Sequence, residues 1–141
     1  DTQLSNGIAK LNATGAAIGF GLGVVADGDE KAKLGATGAV EADFIGIVRR
    51  ELDHVVGDSN PETAPDGQSM TVMTTGVIYV KALETVVHSD PVFYRVGGTG
   101  TGGFAKSAGS GATESIEITN AKYVSAGSAG DLVKVSLVVG G

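Results

Sequence analysis

Residues 132–139, Leu132-Val133-Lys134-Val135-Ser136-Leu137-Val138-Val139, put Val133, Val135, Leu137 and Val139 on one side of an extended chain. Lys134 and Ser136 take the other side until Val138 ends the alternation. Successive side chains of a strand point to opposite faces, so a period of two predicts a half-buried strand. Slipping its register by one residue would expose the whole apolar set.

The same reading extends upstream. Ser115 to Thr119 sets Ile116 and Ile118 against Glu117 and Thr119, and Ala121 to Ser125 continues the pattern. Pro91 to Val96 reads as a strand that starts on a proline, which fits because proline cannot donate to a ladder. Met70 to Val80 is a run of Thr, Val, Ile and Tyr, and Ala82 to Val87 a turn leading into a short element. Val40 to Val48 predicts a strand with Phe44 and Val48 on one face, Ile45 and Ile47 nearer the other, and a bend at Gly46. Ile18 to Val24 alternates large apolar residues with glycine, which predicts a strand whose bare face meets another backbone or a bulky side chain. Ala26-Asp27-Gly28-Asp29 is a tight turn, Gly97 to Gly103 a flexible hairpin connection, and residues 57–69, with Pro61, Pro65 and Asp66-Gly67, a loop.

Short strands joined by glycine-rich turns predict an all-β fold, an antiparallel barrel or sandwich. No long helix and no repeat of fixed period stands out. Residues 1–16 carry Leu4, Ile8 and Leu11 at a helical spacing, but Asn6-Gly7 and Gly15 interrupt it. An extended N-terminal arm is expected there, followed by a β domain over 17–141. A chain of 141 residues is the size of one domain.

Composition narrows the function. A net charge of -6 and the lack of a basic stripe argue against nucleic acid, and the doublet Arg49-Arg50 is followed at once by Glu51 and Asp53. Without cysteine there is neither a disulfide nor a thiolate metal site. No apolar run reaches the roughly 20 residues of a membrane span, so no membrane partner is expected. The chain begins at Asp1 rather than Met, which leaves open a removed or omitted preceding piece.

Reactive groups are few and scattered. Gly97 to Gly103 lacks the Gly-Lys-Ser/Thr ending and following helix of a phosphate loop. Asp27, Asp29 and Glu30 give an incomplete calcium pattern beside Lys31 and Lys33. His54 and His88, next to Asp53 and near Asp90, lack a third metal ligand and the serine turn of a triad. Asn12-Ala13-Thr14 matches a glycosylation sequon by chance. No catalytic residue, cofactor or metal is expected.

The segments Thr75-Gly76-Val77-Ile78-Tyr79-Val80 and Ser89-Asp90-Pro91-Val92-Phe93-Tyr94, then a Gly/Thr-rich hairpin and the strand from Leu132, together resemble the structural cement, or capsid decoration, proteins of tailed bacteriophages. The resemblance covers roughly residues 70–140. In that family a box like Gly-Asp-Pro-Val-Tyr-Tyr precedes the last hairpins; here Ser89 stands for the glycine and Phe93 for the first tyrosine. It implies a β-rich virion protein on the capsid exterior that binds the major capsid protein and itself, often as a trimer, and stabilises the assembled head. Aromatic residues concentrate at interface centres, and the arm has little core of its own, so Leu4, Ile8, Leu11, Tyr79, Phe93 and Tyr94 are the expected contacts. Two rival readings are a glycan-binding or adhesive β module of a fibre, opposed by the absence of Trp and only three Tyr, and a small hydrolase resting on the scattered Asp, Glu and His.

Overall fold

A computed structural model describes residues 6–28, 30–49, 63–64 and 67–138. The strands are β1 (Asn6–Asn12), β2 (Ile18–Gly19), β3 (Gly23–Ala26), β4 (Lys31–Lys33), β5 (Phe44–Arg49), β6 (Thr63–Ala64), β7 (Ser69–Lys81), β8 (Pro91–Arg95), β9 (Phe104–Ala105), β10 (Ser115–Tyr123) and β11 (Leu132–Val138). The fold is all-β, as the alternation predicts. Two single-turn 3-10 segments, Glu41–Asp43 and Gly111–Thr113, interrupt the connections.

β7 organises the rest. Its first half pairs with β1 on one side and β5 on the other, and β5–β3, β3–β4 and β4–β1 complete a ring. Its second half pairs with β11, followed by β10, β8 and β9, and a bridge from Ala82 to Phe104 brings β9 back to the end of β7. Two small barrels therefore share one strand. All these pairings are antiparallel except β1 with β4 and the bridge from Ala82 to Phe104. Residues 6–12 have the expected extended conformation, with their backbone committed to β7 and β4 of their own chain. β2 and β6 form a separate small pair.

The core divides into two clusters, the larger drawing Val25, Phe44 and Ile47 from β3 and β5 as well as residues of the second barrel. Val80, Tyr94, Phe104, Tyr123, Val133, Val135 and Leu137 belong to the larger cluster, and Ile18, Val24, Val48, Met70 and Val72 to the smaller. Val133, Val135 and Leu137 are buried while Lys134 is exposed, as the period of two requires. Val139 lies outside the described residues.

Two local expectations need correction. The stretch from Ile18 to Val24 is not one strand: a turn at Phe20-Gly21 separates β2 from β3, and Leu22 N–H reaches back to Gly19 C=O. On β5, Phe44 shares the larger core with Ile47, whereas Val48 and Ile45 belong with the smaller. A bulge causes this regrouping. Val24 faces Gly46 and Val25 faces Phe44, so Ile45 is the extra residue, and each residue beyond it changes face. Gly46 holds φ 149, and a Cβ there would strike the Met73 carbonyl, so glycine is required.

The bare glycine face expected near residue 23 is real. A Cβ on Gly23 would lie 2.5 Å from Tyr94 Cε1 and 2.8 Å from Phe44 Cε1. Gly23→Ala is expected to destabilise the protein by about 1–3 kcal/mol through overpacking, whereas Gly98→Ala, with open space around it, should move the urea midpoint little. Ser89 is the one non-glycine described residue with positive φ, at 78°. Its left-handed conformation costs roughly 1–2 kcal/mol, part of which glycine returns through greater freedom when unfolded. Ser89→Gly should therefore raise stability by roughly 0.5–1 kcal/mol, read from the same titration.

Candidate docking face

Of the expected contact residues, Tyr94 requires a correction. It is 0% exposed, in the core of its own chain. Its hydroxyl donates to Gly23 C=O at 2.7 Å and accepts from Gly35 N–H at 2.9 Å. The ring lies 5.0 Å from Phe44 and 5.7 Å from Phe104, centroid to centroid. One side chain thus ties the strand β3 and the segment after β4 to the opposite barrel. Burial pushes its pKa up to about 12, the hydrogen bond from Gly35 opposing that rise. Tyr123 is raised too, by burial and then by the charges of Glu84 and Asp90, and its hydroxyl donates to Ala105 C=O.

The other expected contacts do not converge. Leu4 lies outside the described residues. Ile8, 40% exposed, sits opposite Val72, and half-buried Leu11 opposite Ser69, along the first half of β7. Tyr79, 57% exposed, is seven residues further along the same strand. At about 3.3 Å per residue this is roughly 23 Å away. Phe93 is half-buried on β8 between Glu117 and Ala105.

Around Tyr79 the structure assembles a face that the sequence reading missed. Tyr79 pairs across the ladder with Lys134, Lys81 with Leu132, Val77 with Ser136 and Thr75 with Val138. Leu132 is 69% and Val138 43% exposed. Lys134 Nζ stands 5.9 Å from the centre of the Tyr79 ring, a cation–π contact. Beside them lies a hollow of about 450 Å³ lined by Phe20, Val48, Arg49, Ile78, Tyr79 and Leu132. A signal for this face was present: Leu132 and Val138 occupy the polar phase of β11, with Lys134 and Ser136.

The polar groups singled out earlier build turns. Asp90 accepts a hydrogen bond from Val87 N–H, and exposed His88 meets the Ser89 hydroxyl. Asp53 and His54, like Asp29, lie outside the described residues. Asn12 is fully buried; its amide donates to Ala16 C=O and its carbonyl accepts from Thr14, so the sequon triplet is a turn. The Gly97 to Gly103 connection, expected to be flexible, is pinned: Arg95 donates to Thr99 C=O and to Ser115 Oγ, and Thr101 Oγ1 to Gly97 C=O. Among the described residues no three His, Asp or Glu side chains converge on a metal position.

The face combines exposed apolar side chains with the positive charge of Lys81 and Lys134. A family model described as "Structural cement protein (E217 gp24/Pam3 gp6)" matches residues 1–138. The chain belongs to the phage structural cement protein family. This cement protein is therefore a structural component of the virion capsid. A chain in the solved capsid of Myoviridae phage XM1 has the same fold, with a TM-score of 0.73 at 17% identity, over 96% of the cement protein and 84% of that chain. No curated protein matches.

The tyrosine chemistry has two measurable consequences. Tyr94→Phe leaves Gly23 C=O and Gly35 N–H buried without their partner and should cost about 1–3 kcal/mol, whereas Tyr79→Ser, at an exposed position, should stay within about 0.5 kcal/mol. Because folding raises the Tyr94 pKa, its stabilisation is complete below the unfolded value near 10 and is lost as pH rises through about 12. Urea titrations from pH 7 upward should show this decline, and Tyr94→Phe should make it shallower, with Tyr123 supplying the remainder.

Proposed function

We propose that this cement protein binds the outer surface of an assembled phage head, self-associates there as a trimer, and holds neighbouring capsid subunits together. The observation that carries the reading is the family match along nearly the whole chain, joined to a rigid face on which Tyr79, Leu132 and Val138 stand in solvent. Buried core residues fix the backbone beneath that face, so little conformational entropy is lost when it docks.

The physics is avidity. A head repeats one surface many times, and an oligomer bound at one point makes its next contacts intramolecular, so modest interfaces combine into tight attachment. Each such interface should bury on the order of 1,000 Å². In this reading no side chain performs catalysis, and the partners are the major capsid protein and further copies of the chain. Tyr79 and Phe93 remain the proposed aromatic contacts, with Ile8 and Leu11 as subsidiary ones.

Purified protein added to cognate empty heads should co-sediment with them and raise their rupture temperature by several degrees, as ligand binding to the intact state requires. Tyr79→Ser combined with Leu132→Ser should weaken binding at least tenfold, about 1.4 kcal/mol, with unchanged melting of the free protein. Failure of the unaltered protein to bind cognate heads would overturn the reading.

A further inference from the structure

The described surface carries two patches of opposite sign, each with an exposed apolar residue at its centre. On the first, the outward ladder positions of β7, β11 and β10 bring Lys81 beside Leu132, Lys134 beside Tyr79, and Lys122 beside Ser136, which in turn pairs with Val77. No acidic residue occupies these positions. Three of the ten basic residues of a chain with net charge -6 thus share one strip, next to the hollow at Tyr79 and Leu132. The second patch surrounds Val40, which is 57% exposed. Asp43 accepts from Val40 N–H, Glu41 accepts from the Thr119 N–H and hydroxyl, and Glu114 accepts from Gly38 N–H. Exposed Glu117 sits two positions from Thr119 on β10.

We infer that the basic strip of one copy docks the acidic patch of a second copy, Val40 entering the hollow between Tyr79 and Leu132 while Lys81, Lys122 and Lys134 face Glu41, Asp43 and Glu117. The occupant is a second copy because the chain itself carries the complement of the basic strip: Glu41, Asp43, Glu114 and Glu117 around exposed Val40. A contact between two different patches is heterologous and closes into a ring when the rotation between copies permits. Its electrostatic part is exposed at the rim and therefore sensitive to salt. The inference deepens the proposed function by naming the surfaces of self-association, and it rests on that reading only for the trimer, not for attachment to heads.

The test is sedimentation equilibrium of the full chain at 0.01 M and at 0.5 M salt, between which the Debye length falls from about 30 Å to roughly 4 Å. The unaltered protein should self-associate at low salt and dissociate as salt rises. K81E/K134E should raise the dissociation constant at least about tenfold, V40D should do the same from the opposite patch, and an equimolar mixture of those two variants should form heterodimers, because the intact strip of V40D meets the intact patch of K81E/K134E, but no closed ring. Circular dichroism melts report whether either variant is misfolded, and L132S, at a 69% exposed position, replaces one that is. An oligomer mass unaffected by these substitutions, or an unaltered protein that is monomeric throughout, would overturn the inference. Binding of monomers to heads would leave the capsid role standing, so the two failures are distinguishable.

Discussion

The whole architecture depends on β7 serving two barrels at once. A strand has two edges, and this one uses different halves of its 13 residues for different neighbours: Thr71 to Met73 lie between β1 and β5, and Thr75 to Lys81 ladder with β11. Sharing a strand forces the two cores into contact. The place where they meet is plugged by Tyr94, whose ring fills the space left open at Gly23 and whose hydroxyl satisfies one donor and one acceptor of the other barrel. Antiparallel pairing leaves exposed edges as a hazard, and ring closure removes most of them. What stays outward is a surface of side chains rather than of unpaired backbone, Tyr79, Leu132 and Lys134 among them.

Function follows from that rigidity. Side chains such as Asp90, Asn12 and Glu41 each hydrogen-bond a backbone group of their own chain: Val87 N–H, Ala16 C=O and Thr119 N–H. A capsid cement needs a firm body and several weak, repeated contacts, and the two barrels supply the body. Lys81 and Lys134 give the β7–β11 strip a positive sign of its own. Family membership and physical chemistry thus point the same way.

Much of this was legible in the residue order. The alternation of Val133, Val135 and Leu137 fixed the buried face of β11, Pro91 marked the start of β8, and the glycine at 23 announced a bulky neighbour. The bulge at Ile45 was not legible, because an extra residue is specified by the partner strand and by the Met73 carbonyl behind Gly46, neither of which is near in sequence. The same holds for Tyr94: an aromatic residue in a strand looks alike whether it meets a partner subunit or its own core, and only the distant Gly23 and Gly35 decide. The exposed face is half visible in the sequence: Tyr79 is an aromatic residue on a strand, and Leu132 is an apolar residue in the polar phase of β11, but only the ladder between β7 and β11 brings the two together. Ser89 stands where the family box has glycine, and its positive φ supplies the physical meaning of that position.

Image reconstruction of decorated particles examines the central claim most directly, because it shows which surface of each copy is covered. The expected density places the chain in a regular lattice on the outer shell, with Tyr79 and Leu132 within van der Waals distance of a neighbouring chain. Density on the inner wall, or on the outside with the β7–β11 face turned to solvent, would contradict it.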